Sequence, residues 1–246
     1  MKLIVSFLLV FFSINSFSQS LLVGIPSADV AEKHHLEITH ETQYNFWDKP
    51  AKWNSFNFAC YGLGNGLEIT ATLNNLSNQG SANLAIGAGA KKVFSLYKQN
   101  PWESKITIGG NLIYGTYKQD FGVWTYGHYS FRVPKLKTRF TGGLNYGESQ
   151  TFGYRTVMRD NKQVNQAQNL ITFIGGVEQP LFKNVSFIAD WYSGTHDLAA
   201  FIPAMQFDFG HNVLILGYKI PNNIESGNQA LIVEFMLTIP DLKSKK

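Results

Sequence analysis

Acids and bases in this chain fall within runs that alternate apolar and polar residues, and the alternation decides what chemistry they can do. The acids are Glu37, Glu41, Glu68, Glu178, Asp190, Asp208 and Glu234; the bases are Lys91, Lys105, Arg132, Lys137, Arg139 and Lys219. Glu234 alternates against Leu231, Val233, Phe235, Leu237 and Ile239, and Asp190 lies opposite Val185, Phe187 and Trp191. Farther upstream, Glu37, Thr39, Glu41 and Gln43 oppose Leu36, Ile38, Tyr44 and Phe46, with His40 interrupting the apolar set. A period of two means a strand whose charged face is turned away from its greasy face. Charge so placed either lines a watery passage and biases what enters, or pairs within a lumen too narrow to conduct. The sequence leaves both open. If there is a passage, Glu37, Glu41, Glu68, Arg132, Arg139, Asp190, Lys219 and Glu234 are the residues expected to line it.

Nucleophilic and metal chemistry has thinner support. His128 and Ser130 share a parity near Arg132, the spacing seen in outer-membrane phospholipases. The catalytic pair of those enzymes faces the membrane, however, whereas this pair lies opposite Val123, Tyr129 and Phe131 and so points inward. No third group to orient the base is evident, so no catalytic residue is assigned. His34-His35 and His196-Asp197 lack metal-ligand spacing and read as solvated loop residues. No metal or cofactor is expected. Cys60 shares the apolar parity of Phe56 and Phe58 and reads as a small lipid-facing residue.

About twelve strands position these groups. They run from Leu36 to Phe46, Asn54 to Leu63, Leu67 to Asn74, Asn83 to Phe94, Lys105 to Gly115 and Phe121 to Arg132. The second half adds Leu136 to Gly147, Asn169 to Glu178, Val185 to Tyr192, Phe201 to Phe209, Val213 to Ile220 and Ala230 to Ile239. Gly64-Asn65-Gly66 is the sharpest hairpin turn. Connections after even-numbered strands are short or, as in Ser95 to Ser104, compact; the others tend to be longer and polar. That asymmetry, with an even strand count, predicts a transmembrane antiparallel up-and-down β-barrel with both termini periplasmic. The bases fall mostly on the fourth to seventh strands and the acids on the first, third, eighth to tenth and twelfth, which predicts a transverse field orienting dipolar or amphiphilic solutes. Glu148 to Gln168, the longest connector, carries Arg155, Arg159, Asp160 and Lys162. It is expected either to constrict the mouth or to extend two strands above it.

Composition narrows the class. Charged residues are 15% and aromatics 14%, with 22 Gly and 1 Cys, lean in charge for a soluble domain. One thiol makes no internal disulfide, and a net charge of +4 without a basic stripe gives no nucleic-acid signature. A soluble β-sandwich is the competing fold. Against it stand aromatics near strand ends, namely Phe46, Trp47, Trp53, Phe121, Trp191, Phe201 and Phe209, which suit interfacial girdles. Met1-Lys2, the apolar Leu3 to Phe12 and Ser16-Phe17-Ser18 form an export signal, read as cleaved after Ser18. The expected organisation is a signal peptide over 1–18, a periplasmic segment over 19–35, the barrel over 36–240 and a tail over 241–246.

Gly24-Ile25-Pro26-Ser27-Ala28-Asp29-Val30-Ala31-Glu32-Lys33 and the glutamate-rich strand after it resemble the start of outer-membrane barrels of the "MetA-pathway of phenol degradation" type. Asp190-Trp191-Tyr192-Ser193-Gly194 and Gly217-Tyr218-Lys219-Ile220-Pro221-Asn222 resemble the C-terminal half of such proteins. The signal ending in Ser18-Gln19 is similar to those of Bacteroidetes exports. The resemblance implies transport of hydrophobic or aromatic compounds and carries no catalytic motif. The function expected is passive passage of small solutes across a Gram-negative outer membrane, with lipid and solute as partners, no nucleic acid, and protein partners unknown. The alternatives are a non-conducting structural or adhesion barrel and, more weakly, an outer-membrane lipid-active enzyme.

Overall fold

A strand that alternates over ten residues has one face to bury and one to hand to lipid, and the chain resolves the demand by closing its sheet on itself. The computed structural model describes residues 21–78, 84–99, 102–117, 119–159, 162–168, 170–223 and 229–240. The expected signal over 1–18, the tail over 241–246 and Asp160 lie outside the described residues.

The strands are β1 (Leu36–Asn45), β2 (Lys52–Gly64), β3 (Leu67–Ser77), β4 (Ala85–Gln99), β5 (Trp102–Gly115), β6 (Asp120–Arg132), β7 (Arg139–Gly147), β8 (Tyr154–Arg159), β9 (Lys162–Ala167), β10 (Leu170–Phe182), β11 (Val185–Tyr192), β12 (Ala200–Phe209), β13 (Asn212–Pro221) and β14 (Ala230–Ile239). One helical turn, α1 (Ser149–Phe152), precedes β8. Twelve strands form a closed antiparallel barrel in the order β1-β14-β13-β12-β11-β10-β7-β6-β5-β4-β3-β2, while β8 and β9 pair apart as a hairpin. Closure runs from Leu36↔Ile239 to Tyr44↔Leu231. A sheet so closed has no edge to present to a medium without water, and the sandwich is excluded.

The wall has the expected polarity. Ile86, Ile108, Leu112, Leu144, Phe173, Leu216, Phe235 and Leu237 point outward and are exposed, as are Phe46, Trp47, Phe121, Trp191, Phe201 and Phe209 among the aromatics near strand ends. Both the face and the absence of edges are those of an outer-membrane-type barrel. His40, the exception on the apolar face of β1, does point outward. Its ring nitrogens meet Asn57 Oδ1 at 2.7 Å and Thr42 Oγ1 at 2.9 Å, so it brings its own polar partners.

Several boundaries differ from expectation for identifiable reasons. Most of the expected connection Ser95 to Ser104 is strand, with Lys98↔Glu103 and Gln99↔Trp102 still paired. A bulge between Ser95 and Tyr97 breaks the alternation that would have shown it. Of the expected turn Pro180-Leu181-Phe182-Lys183-Asn184, the first three residues lie within β10, at a bulge between Pro180 and Phe182. Strand seven starts at Arg139 instead of Leu136, which leaves Lys137 exposed in a turn with φ 57° and not in the lumen.

Candidate functional site

Residues 21–31, part of the 19–35 segment expected outside the barrel, run through its interior. Leu22, Val23, Ile25, Ala28 and Ala31 are 0–2% exposed. The segment is too short to form a core of its own, so its apolar run Leu21-Leu22-Val23 must borrow one. It does so in three places. Val23 packs with Ile188, Ile202, Ile215, Ile232 and Met236 of β11 to β14. Leu22 and Ile25 meet Ile174 and Tyr192, with Trp124 and Tyr126 beside them. Leu21 and Ala31 meet Phe58 and Cys60 of β2. Cys60 is therefore not lipid-facing: it is 1% exposed inside the barrel, its Sγ 3.6 Å from Glu37 Oε2. The apolar parity of β2 turns inward because the plug offers it an apolar partner.

Polar contacts pin the segment in register. One oxygen of Asp190, Oδ2, accepts the backbone N–H groups of Val23 (3.1 Å), Gly24 (2.7 Å) and Ile25 (3.1 Å). Tyr192 donates its hydroxyl to the Gly24 carbonyl at 2.9 Å, and Ala31 donates its N–H to Glu68 Oε2 at 2.8 Å. Asp29 bridges two bases: Oδ1 lies 2.6 Å from Lys105 Nζ and Oδ2 2.5 Å from Arg139 Nη1. Burial alone would raise the Asp29 carboxyl, but the Arg139 and Lys105 charges outweigh it and hold it well below the usual carboxylate range. Around this latch Arg139 also forks onto Glu178 through Nε and Nη2. Glu103 takes Lys105 at 2.7 Å and Arg132 at 3.2 Å.

Glycine makes the fit possible. A Cβ at Gly62 would stand 2.0 Å from the Glu32 carbonyl oxygen, where the segment leaves the lumen. A Cβ at Gly176 would stand 2.5 Å from Leu22 Cδ1 and 2.9 Å from Ile25 Cδ1. The wall is thinned where the plug presses on it.

The long-loop end is capped separately. In α1, Phe152 is fully buried and stacks on His196, ring centroids 4.0 Å apart. The Asp197 N–H donates to the Phe152 carbonyl at 3.2 Å, joining the two long loops. Within the connector, α1 seats Phe152 in this cap, and β8 and β9 pair as a hairpin apart from the barrel sheet. His196 is not a solvated loop residue. It is 3% exposed, and burial lowers its imidazole to about 4, so it is neutral at pH 7. By contrast, His34 lies outside the lumen network, its Nδ1 3.2 Å from the Tyr61 hydroxyl.

The expected pathway residues do turn inward. Glu37, Glu41, Glu68, Asp190 and Glu234 are 0–3% exposed, Arg139 is 4% and Lys219 8%; Arg132 is half-buried at the short-turn mouth. The structure does not bring them together as two opposed walls. Lys91 pairs with Glu68 at 3.1 Å and Arg139 with Glu178, across adjacent strands, so much of the expected transverse field is cancelled locally. What survives is an acidic corner. Glu41 and Glu234 sit directly opposite on β1 and β14, with Asp190 near both and Lys219 near Glu41. Glu41 takes the Gln43 amide at 2.6 Å, and neither Glu234 oxygen has a hydrogen-bond partner among the described residues.

His128 and Ser130 are inward and buried, as their parity predicts. Ser130 Oγ lies 2.7 Å from Thr141 Oγ1 and 3.4 Å from His128 Nδ1, and the pair has no access to lipid. Among the described residues no group of three His, Cys, Asp or Glu is arranged to hold a metal. Two features escaped the sequence reading. The apolar interior of β11 to β14 had a signal, since Val213-Leu214-Ile215-Leu216 and Leu231-Ile232-Val233 are apolar on both parities. The plug had only the short run Leu21 to Ile25.

No protein-family model matches the chain, and no curated protein does. Among solved structures it is similar to the translocator domain of autotransporter NalP from Neisseria meningitidis, at 11% identity and a TM-score of 0.37, over 86% of this chain and 89% of that one. At that distance the likeness assigns no activity.

Proposed function

We propose that this is an outer-membrane barrel of a Gram-negative bacterium that passes small solutes, and that residues 21–33 are its gate. On this reading the signal peptide is removed on export, both termini are periplasmic, and the segment enters from the short-turn side. The observation that carries the reading is the chemistry of the plug's attachment. The segment shares no continuous ladder with the barrel; bridges at Leu21↔Pro26 and Lys33↔Gly62 are its isolated pairings. It is held by one carboxylate at each of three points, at Asp190, Asp29 and Glu68. Such contacts are replaceable by water or solute, whereas a ladder is not. With the segment out, the lumen would present an apolar wall on β11 to β14 opposite a charged mouth, a surface suited to amphiphiles and compatible with the hydrophobic or aromatic solutes that the family resemblance implies.

The test is planar-bilayer conductance of an Ala31→Cys variant. Ala31 packs in the same cluster as Cys60, so oxidation ties the plug to the wall. Rare openings under reducing conditions that vanish on oxidation and return on reduction support the gate. Absence of current in any salt, for this variant and for Asp190→Ala, ends the passage reading. A second reading, the non-conducting structural barrel, is favoured by one observation: plug and Phe152–His196 cap fill both ends of the lumen. We assign no catalytic activity, because His128 and Ser130 are sealed from the membrane by the wall.

A further inference from the structure

The plug latch is built like a binding site with its ligand in place. Arg139 and Lys105 converge on the two oxygens of a single carboxylate, that of Asp29, at 2.5 and 2.6 Å. Asp29 lies outside every strand, so this acid is supplied by the segment and not by the wall. Charge bookkeeping around it is revealing. Lys105, Arg132 and Arg139 face Asp29, Glu103 and Glu178, three against three. When the segment leaves, Asp29 goes with it and the mouth is left one negative charge short. Arg139, its side chain 5% exposed, keeps Glu178 on Nε and Nη2, but its Nη1 then points at an empty position. With the segment out, that N–H faces the vacated lumen, where a charge-assisted hydrogen bond to an anion is stronger than one to a neutral group, so the open barrel favours an anion there. A cavity of about 280 Å³ lined by Asp29, Val30, Val93 and Lys105 reaches this latch, so a small solute can approach without first removing the plug. The rest of the plug completes the pattern: a few residues beyond the carboxylate, Ile25, Val23 and Leu22 lie against an apolar wall.

We propose that Lys105 and Arg139 form a carboxylate seat that the chain's own Asp29 occupies in the closed state, and that amphiphilic carboxylates are the solutes that take its place. The proposal deepens the gated-barrel reading and rests on it: the plug is an internal mimic of the permeant, a carboxylate followed by an apolar body. Two charge-assisted hydrogen bonds to one carboxylate discriminate against a neutral head group. The electrostatics of the mouth therefore supply selectivity, and the same contacts supply the coupling to opening, because ligand and latch compete for one seat.

The experiment uses the full chain in nanodiscs and reads alkylation of Cys60, which lies against Leu21 and Ala31 of the plug. Sodium hexanoate is compared with 1-hexanol at equal concentration and with sodium chloride at equal ionic strength. Hexanoate is expected to accelerate labelling about ten-fold over either control, and Lys105→Gln or Arg139→Gln to abolish the difference. Asp29→Gly guards against a plug too tightly held to respond. With the mimic removed, calorimetry should show hexanoate bound about ten-fold more tightly than 1-hexanol, a preference lost in Asp29→Gly/Lys105→Gln. Folded barrel is verified for each variant by heat-modifiable gel mobility. Equal effects of hexanoate and its controls on labelling, together with equal affinities in Asp29→Gly, overturn the seat. That result leaves the gate itself to the conductance of Ala31→Cys, so the two readings fail separately.

Discussion

Asp190→Ala is the sharpest probe of the plug, because one side-chain oxygen holds three backbone donors. In the closed state Val23, Gly24 and Ile25 all point their N–H groups at Oδ2 within 2.7–3.1 Å. A hydrogen bond to a charged acceptor contributes about 1.5–3 kcal/mol. The three share one acceptor and are not strictly additive, and each buried backbone donor left without a partner costs about 1–3 kcal/mol. At the lower bound of about 3 kcal/mol the open fraction rises roughly 150-fold, since about 1.4 kcal/mol is ten-fold. Cys60 is the chain's single cysteine and is 1% exposed against the plug, so its alkylation rate by a small water-soluble maleimide reads that fraction directly. We expect a rise of about a hundred-fold in Asp190→Ala and about ten-fold in Asp190→Asn, whose carbonyl still accepts. If Asp190→Ala labels at the wild-type rate while its barrel is folded, the nest does not hold the plug and the reasoning fails.

Other outcomes follow from the same geometry. Gly176→Val should crowd Leu22 and Ile25 out of the lumen and raise Cys60 labelling, whereas Gly175→Val, where a Cβ would meet only the Thr141 carbonyl at 3.8 Å, should not. Leu112→Arg, which puts a charge on the outward face of β5, should cost about 2–4 kcal/mol in folding into bilayers if it lies near the midplane; a neutral result measured by urea titration in vesicles would count against the membrane face. Phe152→Ala should cost about 3–5 kcal/mol, seen as a lower thermal midpoint and as faster hydrogen exchange at the Asp197 N–H. The two ends should also respond to acid in different windows. His196 has its folded value lowered from 6.5 to about 4, so its unfolded form binds the extra proton between those values. The cap's stability is complete above about 6.5 and is lost as pH falls towards 4. Asp29 is depressed from 3.8, so the latch's contribution is intact above that value and is lost only as pH falls below it. The protection factor at the Asp197 N–H, taken against the intrinsic exchange rate at each pH, should thus fall on acidification before latch release occurs, and the reverse order would contradict the assignment of His196 as neutral and buried.

Alternation made the barrel legible. Strands such as Val185–Tyr192 and Ala230–Ile239 announce both their length and their lipid face, because a span must show apolar residues at every second position. Inward placement of Glu37, Glu41, Glu68, Asp190 and Glu234 came from the same parity. Local sequence failed where two residues share one position in the ladder, at the bulges near Ser95 and Pro180, since a bulge resets the parity that reveals the strand. It failed again at Cys60, where parity alone says which residues share a face but not which face is inside.

What the sequence determined by itself, then, is a closed cylinder with an apolar exterior, because lipid and backbone hydrogen bonding admit few other solutions for such a pattern. Whether the cylinder is open was decided only in three dimensions. The plug's partners lie far along the chain from it, with Asp29 reaching Lys105 and Arg139, and Gly24 reaching Asp190 across 166 positions. No local pattern can specify such pairings. They exist because a lumen lined with buried carboxylates and guanidinium must be neutralised by something, and the nearest unpaired stretch of chain carries the donors and the acid to do it.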